Sequence, residues 1–258
     1  MSGKIHITKI GDHAGLIEID NPPANALGSA ARKRLLEAFD SLEANPAIRA
    51  IGITGTGKSF CGGDNLKEQL AAQSGGIEAR RAQLGEFAAV LDRMEASRLP
   101  ILAAVNGWAV GGGLELALAC DIRIASTDAR FVCAGVNVGL MASAWRLPKI
   151  IGVGPAKYML LTGIPQKADA AWRMGLVSEV VAPDELTKRT QELLVHIAHR
   201  APLSVEATKK MASVAGEITR EEALRQSALF VEQLARSADH AEALEAFAAK
   251  RDPKFQRK

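Results

Sequence analysis

The stretch Ala104-Val-Asn-Gly-Trp-Ala-Val-Gly-Gly-Gly-Leu-Glu-Leu-Ala-Leu-Ala-Cys-Asp121 decides the fold of this chain. It overlaps an apolar strand at residues 101–105, and its three consecutive glycines lead into an apolar segment that is typical of a buried helix. Glycines between a strand and a helix leave backbone N–H groups open toward a ligand, because no side chain covers them. The stretch therefore predicts an anion-binding loop between a buried strand and a buried helix.

Glu115 is the only charged residue of this stretch before the closing Asp121. We expect its carboxyl group to lie in an apolar interior close to the start of the helix. A carboxyl group in such a place is suited to proton transfer near neutral pH. The alternative is a capping-box glutamate, but that motif has Ser or Thr three residues earlier, where this chain has Gly112. Proton transfer is therefore the favoured role.

Strand and helix patterns alternate along the first 182 residues. Alternating apolar and polar side chains predict a hairpin at residues 4–10 and 14–20. Further strands are predicted at residues 50–54, 101–105, 122–125 and 130–132, and helices at residues 29–45, 79–96, 154–162 and 167–173. Later helices are predicted at residues 184–200, 203–214, 219–236 and 239–249. We expect a β/α core over residues 1–182 and a helical C-terminal region over residues 183–258.

The composition favours a folded enzyme that acts on a small molecule. Hydrophobic residues make up 48% of 258 residues, and 32 basic against 29 acidic residues give a net charge of +3. Without a long block of like charge, we expect no nucleic-acid or membrane partner. The first residues lack the apolar core of a signal peptide, so we expect a cytoplasmic protein. Three cysteines without Cys-x-x-Cys spacing predict reduced thiols and no metal site.

A second motif, Gly52-Ile-Thr-Gly-Thr-Gly-Lys-Ser59, matches the Walker A pattern of nucleotide triphosphatases. That pattern requires a strand before the first glycine and a helix that starts at the Gly-Lys-Ser. Here Gly52 lies inside an apolar strand, and Gly62-Gly63 follow too soon for a helix. We therefore predict that this segment is not a phosphate-binding loop.

The segment Ser59-Phe-Cys-Gly-Gly-Asp-Asn-Leu-Lys-Glu68 is another glycine-rich loop that follows a strand and precedes a helix-forming run. Two such loops from neighbouring strands can together donate two backbone hydrogen bonds to one developing oxyanion. The alternative is that the glycines serve only as turns.

In these motifs the sequence resembles the crotonase superfamily, the enoyl-CoA hydratase/isomerase family. The specific signal is the Asn-Gly-x-x-x-Gly-Gly-Gly-x-Glu pattern at residues 106–115. Supporting motifs are Asn21-Pro-Pro-Ala-Asn-Ala-Leu27, Phe60 to Glu68, Leu161-Thr-Gly163, Gly175 to Val181 and Ala246-Phe-Ala-Ala-Lys-Arg251. The resemblance implies an α/β fold built as a spiral of β-β-α units, with a helical C-terminal trimerisation region and a homotrimer or hexamer. It implies an acyl-CoA thioester as substrate, with no metal or redox cofactor.

The resemblance also assigns roles to single residues. Backbone N–H groups of Asp64 and Gly112, with Gly111 beside the latter, would bind the thioester oxygen, and Glu115 falls on the first of the family's two hydratase glutamates. Backbone around Ala24, Ala26 and Leu66 would line the CoA site, with Lys67 near the CoA phosphates. The second glutamate is absent, because Gly135 stands in its place. The loop after Leu140 is also a few residues shorter than usual, and Asp64 replaces a small residue.

The resemblance favours an enoyl-CoA hydratase-like enzyme that adds water with Glu115 as its sole acid/base. One alternative is other enolate chemistry on acyl-CoA, such as isomerisation, thioester hydrolysis or decarboxylation, with Glu115 or the Asp64 side chain. A second alternative is a protein that binds acyl-CoA without turnover. Trp108, Trp145 and Met141 are candidate acyl-pocket residues, with core packing as the alternative for each.

Overall fold

The computed structural model describes residues 3–258, which form two β-sheets surrounded by helices. The strands are β1 (Lys4–Ile10), β2 (Ala14–Asp20), β3 (Ala50–Gly55), β4 (Ser59–Cys61), β5 (Ile101–Val105), β6 (Trp108–Val110), β7 (Ile122–Ser126), β8 (Arg130–Val132), β9 (Gln166–Lys167) and β10 (Glu179–Val181). The helices are α1 (Ser29–Ala44), α2 (Leu66–Ser74), α3 (Gly76–Glu95), α4 (Gly112–Leu118), α5 (Arg146–Ile151), α6 (Val153–Thr162), α7 (Ala168–Arg173), α8 (Leu186–Ala198), α9 (Pro202–Val214), α10 (Arg220–Ala235) and α11 (Ala238–Ala248). A 3₁₀ turn spans Val136–Val138.

The two sheets share a repeated β-β-α unit. The large sheet has the order β1-β2-β3-β5-β7-β10, and only β1 runs antiparallel to its neighbour. The small sheet has the order β4-β6-β8-β9, with β9 antiparallel. In the pairs β3–β4, β5–β6 and β7–β8 the first strand enters the large sheet and the second enters the small one, and helices follow each pair. The predicted spiral of β-β-α units is confirmed.

Helices cover both faces of the large sheet. Alternate strand residues such as Ile51 and Ile53 belong to the main core, together with Phe39 of α1 and Met94 of α3. Strand residues on the opposite face, such as Ala50 and Leu102, belong to a second cluster with Leu194 of α8. This burial on both faces explains why the central parallel strands β3 and β5 carry almost no polar side chains. The three helices after α8 bury few side chains, and the division after residue 182 stays a prediction.

Most predicted elements are confirmed, and those the sequence did not indicate are short. The hairpin and the strands at residues 101–105 and 130–132 have the predicted bounds. The three-residue strands β4 and β6 and the helix α5 were not predicted, because segments of this length carry too little periodicity. Strand β4 begins at Ser59, directly after Gly57-Lys58, so the prediction that this segment is not a phosphate-binding loop is confirmed. Within the described residues, no helix combines the length and apolar composition needed to cross a membrane.

Candidate active site

The two glycine-rich loops meet at the ends of the neighbouring parallel strands β4 and β6. A Cβ atom on Gly63 would lie 2.9 Å from the backbone nitrogen of Gly112, and one on Gly113 would lie 1.8 Å from the carbonyl oxygen of Cys61. Gly63 and Gly111 also have φ angles of +86° and +52°. Only glycine allows the two backbones to approach this closely and to adopt these angles.

Two backbone N–H groups at this meeting point have no acceptor in the part of the chain that the structure describes. Among the backbone hydrogen bonds of residues 3–258, none is donated by Asp64 or by Gly112. Their surroundings are fixed, because the Leu27 N–H donates to Gly63 at 2.7 Å and the Gly111 N–H donates to Val132 at 3.0 Å. Open N–H groups on rigid backbone are the donors that stabilise a developing oxyanion. Both amides are therefore open to a ligand, and their oxyanion-binding roles stay a prediction.

Glu115 lies one turn beyond Gly112 in α4 and is only 8% exposed. Its Oε2 atom accepts a hydrogen bond of 3.0 Å from a terminal nitrogen of Arg146. The carboxylate therefore binds a guanidinium rather than the first amides of α4, which is not the arrangement of a capping box. Glu115 is a buried, ion-paired carboxylate close to the open Gly112 amide.

Arg146, the first residue of α5, is a site residue that the sequence does not predict. Its other two nitrogens bind Glu95 of α3, at 2.6 and 3.1 Å. Burial alone would lower the pKa of Arg146, but hydrogen bonds and charge from Glu95 and Glu115 outweigh it and raise the pKa above its ordinary value. The only signal in the sequence was a basic residue directly after the shortened loop, which does not by itself identify a partner.

Gly135 is buried where the resemblance places a second glutamate. A Cβ atom there would lie 2.8 Å from the carbonyl oxygen of Leu140 and 2.9 Å from the backbone nitrogen of Ala142. The Leu140 N–H also donates to the Gly135 carbonyl at 2.8 Å. The short loop thus folds back onto Gly135 and fills the space that a side chain would need, so the lost glutamate and the short loop are structurally coupled.

The side chain of Asp64 points away from solvent toward Arg32 of α1, with 2.8 Å between Oδ1 and a guanidinium nitrogen. Gln69 donates to its other oxygen at 3.3 Å. Burial raises the pKa of the Asp64 carboxyl, and the charge of Arg32 opposes that rise. With both oxygens engaged, this side chain is poorly placed for the acid/base role that was the alternative to Glu115.

The residues predicted to line a CoA site lie around the loop before α2. The carbonyl oxygen of Ala24 accepts from the Gly62 N–H at 2.7 Å, and that of Ala26 accepts from the Asn21 side chain. Leu66 and Lys67 begin α2 with exposed side chains. The fold thus brings these four residues to the same loop that carries the Asp64 amide.

The three candidate acyl-pocket residues are not in the core. Trp108 is 44% exposed, Trp145 is 67% exposed and Met141 is 84% exposed. The ammonium group of Lys149 lies 3.6 Å from the centre of the Trp145 ring. Core packing is therefore wrong for these side chains, and Met141 and Trp145 lie in the short loop that covers Gly135.

Comparison with known proteins gives the family. The sequence model of the enoyl-CoA hydratase/isomerase family matches residues 10–258. (E)-Benzylidenesuccinyl-CoA hydratase of Thauera aromatica is 37% identical over 96% of this chain and 97% of its own. Short-chain-enoyl-CoA hydratase of Clostridium acetobutylicum is 38% identical over 76% of each chain. The crystal structure of enoyl-CoA hydratase from Bacillus anthracis matches with a TM-score of 0.94 at 30% identity, over 98% of this chain and 99% of that one. The chain has the crotonase fold and belongs to the enoyl-CoA hydratase/isomerase family, as a hydratase-like enzyme that processes acyl-CoA.

Proposed function

We propose that this enzyme adds water to a 2-enoyl-CoA, with Glu115 as its only acid/base. The observation that carries the proposal is the pair of open amides at Asp64 and Gly112, next to a buried carboxylate. Relatives named as CoA-ester hydratases support it and favour an enzyme over a protein that binds acyl-CoA without turnover.

The two amides stabilise charge on the thioester oxygen. When water adds to C3 of the enoyl group, the electrons of the C2–C3 double bond move to that oxygen and form an enolate. Each backbone donor aimed at such an oxyanion contributes about 3 kcal/mol to transition-state stabilisation. The reaction transfers no electrons to or from the substrate overall, so it needs no redox cofactor, and the two amides supply the charge stabilisation for which a metal could otherwise serve.

Glu115 transfers the proton in both steps of the reaction, which are the attack of water on C3 and the protonation of C2. Its Oε2 atom is held by Arg146, and the carboxylate accepts a proton as the water oxygen bonds C3. The same carboxyl group then returns the proton to C2 as the enolate collapses. Gly135 has no side chain to share this work, so a single group shuttles the proton.

Double-bond isomerisation is the second candidate, and the closed space at Gly135 favours it. Isomerisation moves one proton from one carbon to another through the same enolate and requires only one base. An ion-paired Glu115 above an oxyanion site supplies that base. Hydration and isomerisation therefore differ in whether water reaches C3.

Incubation with crotonyl-CoA and a panel of longer and branched enoyl-CoAs in deuterated water separates the candidates. Water addition that is lost in Glu115→Gln supports hydration. Deuterium incorporation or a shifted double bond without added water supports isomerisation, and neither product with the wild-type enzyme contradicts both. Glu217→Gln is a matched control, because Glu217 is a half-exposed carboxylate paired with Lys149.

We further propose that the enzyme is a cytoplasmic homotrimer or hexamer held together by the helical C-terminal region. Support comes from large apolar side chains that α10 and α11 leave exposed, which a second copy would cover. They are Leu224, Leu229, Val231, Leu244 and Phe247. Light scattering after size-exclusion chromatography measures the oligomer, and a monomer would contradict this part of the proposal.

A further inference from the structure

Arg32 of α1 is a buried cation that the reaction proposed above does not use. Its side chain is 2% exposed and contacts three carboxylates. The distances are 2.8 Å to Asp64, 3.0 Å to Glu86 of α3 and 3.4 Å to Glu68 of α2. Removal of Arg32 would leave the least exposed of these carboxylates, that of Asp64, without its cation, whereas removal of one carboxylate leaves Arg32 with two partners.

These contacts connect the loop that carries the Asp64 amide to the helices α1, α2 and α3. The nitrogen of Arg32 that binds Asp64 also donates to the carbonyl oxygen of Leu27 at 3.0 Å, and the Leu27 N–H donates to Gly63. The Asp64 peptide is therefore anchored through its side chain on one side and through Gly63 on the other. Glu68, the third residue of α2, accepts a hydrogen bond of 2.8 Å from the Ser29 N–H. Helix α2 is therefore bonded to the start of α1, the helix that carries Arg32.

We propose that Arg32 is a positioning residue that aligns the Asp64 N–H with the thioester oxygen by holding the Asp64 side chain. This inference rests on the proposed function. The open amide of Asp64 belongs to the residue whose side chain Arg32 holds, so the ion pair limits rotation of that peptide. Asp64 replaces the small residue that the family resemblance predicts at this position. The Arg32–Asp64 ion pair, called the anchor below, is therefore a feature of this chain.

The Arg32–Asp64 ion pair is proposed to align the Asp64 N–H group. A ligand that tests it must therefore accept a hydrogen bond from that group. Free CoA has no thioester carbonyl and does not use the Asp64 amide. Acetoacetyl-CoA has one, and its enolate places negative charge on the oxygen and absorbs in the near ultraviolet. Loss of the anchor should therefore weaken the enolate complex while leaving CoA binding intact.

The test compares Asp64→Ala, Asp64→Asn, Arg32→Met and the Asp64→Ala/Arg32→Met double variant. Asp64→Ala keeps the amide and leaves Arg32 paired with Glu68 and Glu86, so it should fold even if Arg32→Met does not. Asp40→Ala is the matched control. This change removes a different aspartate that is paired with an arginine, in the 2.7 Å contact between Asp40 of α1 and Arg93 of α3.

We expect Asp64→Ala and Arg32→Met to weaken acetoacetyl-CoA binding and its enolate absorbance about tenfold to a hundredfold, as small misalignments do. CoA binding should stay within about twofold, the double variant should lose little more than either single one, and Asp64→Asn should retain part of the signal. Enolate formation equal to wild type in Asp64→Ala, or an equal loss of CoA binding, would overturn the inference and leave the proposed function standing. No enolate complex with the wild-type enzyme would overturn the proposed function itself, and the inference with it.

Discussion

A terminal nitrogen of Arg146 lies 3.0 Å from Oε2 of Glu115, while its other nitrogens bind Glu95. Within residues 3–258 the remaining oxygen of Glu115, Oε1, has no hydrogen-bond partner in the protein. One oxygen is thus fixed and the other is available to a water molecule or a substrate carbon. Because Arg146 directly follows the short loop, this ion pair links the end of that loop to the proposed base.

Replacement of Arg146 by Met should slow turnover without preventing ligand binding. The substitution removes a charge-assisted hydrogen bond worth about 1.5–3 kcal/mol, so we expect kcat to fall about tenfold to a hundredfold. Steady-state kinetics with the best enoyl-CoA measures the effect. Arg173→Met, which breaks an exposed pair with Asp169 in α7, is the control. A wild-type kcat in Arg146→Met would show that Glu115 does not depend on this partner.

Glu115→Gln should abolish most of the activity, because the amide keeps the shape of the side chain and can accept no proton. General acid–base groups contribute about 10²–10⁴-fold to rate, and we expect a loss of that order in kcat. Binding of CoA should be unchanged, since CoA lacks the reacting carbons. Titration calorimetry with CoA, run beside the kinetics, separates the two effects, and turnover close to wild type would contradict the role.

The backbone part of the site could be predicted from sequence, and the side-chain pairs could not. Glycines 62–63 and 111–113 stand at strand ends, where only a few backbone conformations fit, so their local pattern already indicates open amides. Arg146 is 31 residues from Glu115, and Arg32 is 32 residues from Asp64. No periodicity links positions so far apart, because the fold alone brings them together.

The absence of a glutamate at position 135 could be read directly, but its cause could not. The sequence showed a glycine and a shortened loop as two separate departures from the family pattern. The structure joins them, since backbone atoms of Leu140 and Ala142 lie within 2.9 Å of where a Cβ atom at position 135 would be. Such steric exclusion depends on the path of the loop, which carries no local sequence signature.

Gly135→Glu should therefore destabilise the protein rather than create a second acid. The added side chain meets backbone atoms that cannot rotate away, and overpacking of this kind costs about 1–3 kcal/mol. We expect a lower melting temperature in differential scanning fluorimetry and no gain in water addition. Gly154→Glu in α6 is the control, because a Cβ atom there has nothing within 4 Å. A stable variant with faster hydration would contradict the steric argument.

The three cysteines should resist alkylation in the native enzyme. Burial raises the pKa of the Cys61, Cys120 and Cys133 thiols to about 12 in each case. The reactive thiolate is then almost absent at neutral pH, and the side chains are also inaccessible to a reagent. Intact-mass analysis after iodoacetamide should find no adduct without denaturant and three adducts with it. Rapid native labelling of any one of them would contradict the buried positions.

Glu43 should give stability that is lost in mild acid. Burial alone would raise its pKa, but hydrogen bonds from Arg93, the Arg98 N–H and Ser97 outweigh it and lower the pKa below the ordinary value of 4.5. A carboxyl whose folded pKa is lowered stabilises the native state above its unfolded pKa, and that contribution fades as pH falls through the folded pKa. Glu43→Gln should therefore lower the melting temperature at about pH 7, and its difference from wild type should shrink below about pH 4.5. Glu37→Gln, an exposed carboxylate on the same helix, should change little at either pH. A difference for Glu43→Gln that is constant across this range would show that its ion pair is not what stabilises the fold there.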